Sequence, residues 1–242
     1  MVLRKLIVNA DDFGMSSTIN KAIAVAFRAG KISCASITPV GPKFQEAVEI
    51  AKANRIPVGL HSVIGASPVI PLKPITENKR MALGANGTFP ENVGLYNESH
   101  IDDIVCEITT QLYCLHRTGL GILHWDSHRF DVPGSMFGLV VEEIQNQQHI
   151  PFVSYGKGAL SKEANSKCLL GTGAIMGHGN FSFDSMRSFI EKTCRGVEHP
   201  RTWMHLSSLG GNPRFVNAFK CVMEQKYDDI LKSNGMRVHR FV

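Results

Sequence analysis

Short apolar runs alternate along this chain with stretches of helical periodicity, and that alternation constrains the fold more than any single motif. "KLIVNA" at 5–10 is followed by Ile19, Ala22, Ile23, Ala26 and Phe27; "ISCASITPV" at 32–40 by Phe44, Ala47, Val48 and Ala51; "IPVGLH" comes next at 56–61. Strands that each lead into a helix build a mostly parallel sheet with helices on its faces, because joining parallel neighbours takes a long crossover. Ser16 or Ser17 is the expected N-cap of the first helix, and Gly30 its left-handed stop.

Ile101, Ile104, Val105, Ile108, Leu112 and Leu115 mark a further helix before the strand "GILHWDSH" at 121–128, and Phe137, Val140, Val141 and Ile144 another before "IPFVSY". Helices near 184–194 and 214–232 and the runs "GAIMGH", "TWMHLSS" and "MRVHRFV" complete about seven strands, most followed by helices. The rhythm breaks at 62–100, where prolines gather and "GANGTF" predicts a turn; an insertion at the working face is expected there. The whole of 1–242 reads as one α/β domain. Periodicity alone leaves open whether the sheet closes into a barrel or stays open and doubly wound.

Several function classes drop out. No G-x-G-x-x-G follows the first strand, the glycines of "LGTGAIMGHGN" lack the lysine of a phosphate loop, and no G-x-S-x-G elbow occurs. The six cysteines show no C-x-x-C pair, so zinc-finger spacing is absent and reduced core thiols are expected. A net charge of +5 without a compact basic run argues against nucleic acid. No apolar run reaches the roughly 20 residues of a membrane span, and "MVLRKLIV" is short for a secretory signal, so a cytoplasmic protein is expected. Apolar surface positions do not tell a homodimer face from ordinary surface.

Polar residues stand where strands should end. Asp11 and Asp12 follow the first strand, His61 ends the third, and His128 ends the strand that also carries His124 and Asp126. In a parallel β/α domain those ends meet at one rim. Two adjacent carboxylates at the edge of a core need water, protons, hydrogen bonds or a cation, since an unpaired buried ion costs several kcal/mol. Aspartate with two imidazoles suits a divalent cation and leaves room for water. One of the two aspartates, with His61 and His128, therefore makes the candidate ligand set, the other aspartate could accept the proton of a bound water, and Gly14 is the residue expected to let the backbone bend. Asp126 is expected to orient a histidine rather than to ligate, and Trp125 to face the helices. His116 and His149 look like surface residues, and His178 lies among glycines. His205, inside an apolar run, is either a core histidine or a proton donor opposite the metal.

In this order, "VNADDFG", "VGLH", the Glu-x-x-x-Gln of "EITTQL", "LHWDSH" and the late His205 resemble the YdjC/ChbG family of carbohydrate deacetylases. The resemblance implies a distorted, TIM-like β/α barrel akin to the NodB-type deacetylases, with metal ligands at Asp12, His61 and His128 and the base at Asp11. It implies removal of acetyl from N-acetylated sugars such as chito-oligosaccharides, with an acetylated carbohydrate as the partner. Magnesium is the implied metal; the two imidazoles suit zinc as well. The alternatives are a metal-dependent hydrolase of another ester or phosphoester, or a carbohydrate-binding relic without turnover. The chain departs from the family pattern at Arg129–Phe130, at Ser154 and at Leu206, which stands where proline usually follows the late histidine.

Overall fold

The structure, a computed structural model, describes residues 4–65, 71–128, 134–154, 169–170, 175–176, 184, 187–188, 201–206 and 219–239. Its first half follows the predicted alternation: β1 (Arg4–Phe13), α1 (Ser17–Arg28), β2 (Cys34–Ile37), α2 (Phe44–Asn54), β3 (Val58–Val63), α3 (Ile101–His116), β4 (Ile122–His128) and α4 (Gly134–Gln148). Then come β5 (Val153–Ser154), β6 (Leu169–Leu170), β7 (Ile175–Met176), β8 (Arg201–Leu206), α5 (Gln225–Ser233) and β9 (Met236–Val238). The Ser16 hydroxyl caps α1 by accepting from the Ile19 amide at 3.2 Å, and Gly30 follows the helix at φ 73°. Both helix signals therefore work as their chemistry requires.

All the described strand pairs are parallel. They run in the order β4-β3-β2-β1-β8-β7, with β9 also paired to β1 and β5 paired to β6. Since β8 takes one edge of β1 from Lys5 to Ala10, β9 must share the other edge with β2. A bridge between Trp125 and Phe152, with the Trp125 amide donating to Pro151 O at 3.0 Å, sets β5 beside β4. Among the described residues no pairing joins β6 to β7.

The two faces of the sheet differ sharply. Leu6, Val8 and Ala10 of β1, Ala35 and Ile37 of β2, Val58 and Leu60 of β3, and Trp125 of β4 belong to the core that the helices cover. Trp125 stacks on Phe152 at 4.4 Å between ring centroids, facing the helices as expected. The residues between them, Asn9, Cys34, Ser36, His61, His124 and Asp126, are buried on the opposite face. Strand alternation thus sorts one face for packing and the other for chemistry.

The segment after β3 packs its apolar side chains into the main core of the domain. Leu72, Met81, Phe89, Val93 and Tyr96 are buried there, and the Tyr96 hydroxyl lies 2.9 Å from both Ile64 O and Met81 O. The "GANGTF" turn is closed by the Gly84 amide donating to Thr88 O at 2.8 Å. The expected core thiols need correcting: Cys34 and Cys221 are buried, but Cys106 is exposed and Cys114 half-buried, and all four are free thiols. The helical period puts Cys106 outside the apolar stripe of α3, so it was never a core position. His116 and His149 are exposed, as their sequence settings suggested.

Gly59 makes room for a ring. A Cβ there would stand 2.5 Å from His124 Nε2 and 2.7 Å from His124 Nδ1. Gly59→Ala must displace the His124 ring or the β3 backbone, overpacking of the kind that costs about 1–3 kcal/mol. The melting temperature should drop by several degrees in thermal denaturation; an unchanged value would mean that the ring has another place to go.

Candidate metal centre

The centre begins with a bulge. β1 and β2 pair Ala10 with Ala35 and Phe13 with Ile37, so β1 spends one more residue than β2 over that interval. The surplus falls at Asp11–Asp12, and Asp12 takes up the bend at φ 65°. A bulge re-aims side chains where plain alternation would send neighbours to opposite faces, which is how both acids come to the polar side. Gly14 was expected to make the bend; it too has positive φ, 108°, but Asp12 itself turns first. Aspartate is among the few non-glycine residues that occupy this region with any frequency.

Asp12, His61 and His128 come together as predicted. Asp12 Oδ1 lies 3.4 Å from His61 Nε2 and 3.2 Å from His128 Nδ1, and those two nitrogens are 3.4 Å apart. Tetrahedral bonds of about 2.0–2.1 Å would separate their ligand atoms by about 3.3–3.4 Å, so the triangle fits a divalent cation of the zinc type. Asp12 and His61 are buried and His128 is about one-fifth exposed, which leaves one side of the triangle open to the rim.

Asp126 lies in register with His61 and is fully buried. Its Oδ1 is 2.6 Å from His61 Nδ1, and its Oδ2 accepts from the Ser36 hydroxyl at 2.6 Å and lies 3.3 Å from His124 Nε2. As the Ser36 proton goes to Asp126, the His124 Nε2, 3.0 Å from the Ser36 oxygen, must be the donor of that contact. Asp126 thus orients His61, as the sequence suggested. The full network was not legible there: Asn9 Nδ2 donates to Asp11 Oδ1 and to Ser36 Oγ, both at 2.8 Å, and joins the acids of β1 to Asp126. Two-residue spacing from Asp11 was the one signal for Asn9, and nothing marked Ser36.

Electrostatics favour a cation here. Burial opposes ionisation of Asp12, but hydrogen bonds from His128 and His61, with their charge, hold its carboxyl well below the usual range. Burial likewise opposes the charged form of Asp126, yet the His61 charge and the bonds from His124 and His61 keep it low. For His61 burial disfavours protonation, and the Asp126 charge and the contacts with Asp12 and Asp126 outweigh it, raising the imidazole well above its ordinary value. Positive charge between these acids is thus strongly preferred, and a divalent ion can take the place of the imidazole proton. Burial first, then the Asp126 and Asp11 charges, push the Cys34 thiol up, so it stays protonated and donates to Asn9 Oδ1 at 3.2 Å. Asp11, His61 and Asp126 form a second set whose donor atoms lie within 4.8 Å of one another, which puts Asp11 beside the triangle.

His205 lies on β8 in register with Asn9, but its side chain is outside the described residues. Phe130 and His178 are outside them altogether, as is the side chain of Ser154.

The sequence pattern of the YdjC-like protein family matches residues 5–235. The chain belongs to that family. Among its relatives is a carbohydrate deacetylase of Clostridium beijerinckii, 28% identical over 61% of this chain and 58% of that protein. The aligned stretch spans 58% or less of the first few curated relatives. An Enterococcus faecalis V583 structure named for cellobiose-phosphate cleavage superposes at TM-score 0.83 with 16% identity, covering 98% of this chain and 97% of that one. A family 4 carbohydrate esterase of Streptomyces lividans, in complex with acetate, superposes at TM-score 0.56 with 10% identity, covering 98% and 93%. At such identities the likeness is one of fold: an α/β parallel sheet of the kind the carbohydrate esterases share. Within this YdjC-like chain, no described helix is long and apolar enough to cross a membrane.

The carboxylate behind His61 gives a direct test. Asp126→Asn keeps the shape but removes the charge and turns an amide toward one of its donors. Substitution of such an outer partner typically weakens metal binding about 10–100-fold. Zinc titration against a competing chelator should show that loss; wild-type affinity would mean that His61 is oriented by something else.

Proposed function

We propose that this chain is a metal-dependent deacetylase of N-acetylated carbohydrates, carried by one β/α domain whose sheet closes as a distorted barrel. The observation that carries the proposal is the Asp12–His61–His128 triangle with Asp11 beside it, at the C-terminal ends of β1, β3 and β4. Support for the substrate class comes from relatives named carbohydrate deacetylase, and support for acetyl chemistry from the acetate-bound esterase of like fold. The nitrogen-rich donor set favours a zinc-type cation over magnesium, which prefers oxygen ligands.

A divalent cation at the triangle supplies a Lewis acid for the acetamide oxygen and lowers the pKa of a water. The residues of the chain do the rest. Asp12, His61 and His128 would hold the ion and leave the rim side for substrate. Asp11, anchored by the Asn9 amide, accepts the proton of the attacking water. His205, one strand over from β1, is proposed to protonate the departing amine. Asp126 keeps His61 in one tautomer throughout, its Nδ1 proton committed to the carboxylate.

Two substitutions separate the roles. Asp11→Asn should cut acetate release from N-acetylated chito-oligosaccharides by about 10²- to 10⁴-fold, the usual worth of a general base. Its bound metal, counted by elemental analysis, should stay at the wild-type level; a fully active variant would remove Asp11 from the chemistry. His128→Ala should lose both metal and activity, and full occupancy would take His128 out of the ligand set. Turnover of aryl phosphates or simple esters, with none of acetylated sugars, would move the chain to another hydrolase class.

A further inference from the structure

We infer that Gln111 is a positioning residue for the metal-binding end of β3, acting as a surrogate strand neighbour where the sheet stops supplying one. The inference rests on the metal-centre reading above. β2 last pairs with β3 at Ile37–Leu60, so β3 continues through His61, Ser62 and Val63 beyond it. There the Gln111 side chain meets the backbone of Val63: its Oε1 accepts from the Val63 amide at 3.0 Å, and its Nε2 donates to the Val63 carbonyl at 2.7 Å. One side-chain amide thereby makes the two bonds that another strand residue would make.

The amide cannot turn over. Its remaining proton goes to Glu107 Oε1 at 2.8 Å, and a flipped amide would point its NH₂ at the Val63 amide. Glu107 sits one helical turn earlier on α3, where residues four apart share a face. Its oxygens also accept from the amides of Ile75 and Thr76 at 3.0 Å each and from the Thr76 hydroxyl at 2.6 Å. Gln111, Glu107 and Val63 are fully buried, so this latch is set in the interior. α3 therefore ties both the outer end of β3 and the Ile75–Thr76 stretch of the following segment to one helix face.

The consequence falls on the ligands. Val63 is two residues past His61 and in register with His128, so its position sets the spacing between the two imidazoles. Ligand atoms must be held within about 0.5 Å of the productive geometry. Without the latch, Val63 is a strand end whose backbone groups must find other partners, and His61 and His128 lose their common reference.

The test is metal affinity well below the melting temperature. Gln111→Met keeps side-chain volume but cannot make either bond; its zinc affinity, measured by chelator competition, should fall about tenfold or more. Leu115→Ala, on the apolar face of α3, is the stability control and should retain wild-type affinity despite a lower melting temperature. Wild-type affinity in Gln111→Met, or an equal loss in Leu115→Ala, would overturn the inference. If Gln111→Met does not fold, hydrogen exchange on the wild-type protein decides: zinc should slow exchange of the Val63 amide more than that of the Leu115 amide, and equal effects would overturn it. A wild-type protein that binds no zinc, cobalt or magnesium would sink the metal-centre reading itself, a separate failure.

Discussion

The centre depends on one hydrogen bond, the 2.6 Å contact of His61 Nδ1 with Asp126 Oδ1. It commits the Nδ1 proton and turns the other ring nitrogen toward Asp12 and His128. Asp126 can do this only because it is itself satisfied. A buried carboxylate left alone would cost several kcal/mol, but Ser36, His124 and Asn9 all present donors to Oδ2. The His124 ring reaches that position over a glycine, since a side chain at Gly59 would occupy its place. A missing Cβ on β3 is thus a condition for a charge on β4, and that charge for the orientation of a ring on β3.

Against this rigid wall of β3 and β4, β1 contributes its acids by an irregular route. The left-handed backbone at Asp12 is a conformation that costs of order 1–3 kcal/mol unless the surroundings impose it. They do: the Thr38 amide donates to Phe13 O at 2.8 Å, the Met15 amide to Asp12 O at 3.0 Å, and the Gly14 amide to Asn20 Oδ1 at 2.8 Å. The turn that follows Asp12 is thus tied to the end of β2 and to α1, which fixes the backbone that carries the carboxylate. Without the extra residue, alternation would send one of the two acids into the apolar face against the helices.

What the sequence displayed and what it hid divide along physical lines. Helix periodicity, the Ser16 cap and Gly30 were legible because each is a local preference. The meeting of one acid and two imidazoles was legible because strand ends share one rim in a parallel sheet, whatever their distance along the chain; which of the two acids ligates came from the family resemblance alone. Asp126 was legible through its alternation with His124 and His128. Ser36 and Asn9 were not, because their importance comes from register between β1, β2 and β4, which one strand's sequence does not encode. The bend was misplaced onto Gly14 for a related reason: glycine advertises positive φ, whereas Asp12 adopts it only because β2 pairs one residue out of step. The segment after β3 was expected as an insertion from its break in rhythm, but that Leu72, Met81 and Phe89 join the main core depends on tertiary packing that the local sequence does not display.

The choice of counter-charge completes the argument. Asp12 and Asp126 are described in ion pairs with imidazoles. An arginine would neutralise them permanently, since it does not give up its proton in proteins. Imidazole can exchange a proton for a metal, so the same side chains that balance the acids without an ion become its ligands with one. The balance lies on the face of the sheet away from the helices, so filling or emptying the site need not disturb the apolar packing that holds the strands in register. Stability and chemistry are thereby assigned to opposite faces of the same strands, and the bulge at Asp11–Asp12 is where one face yields a residue to the other.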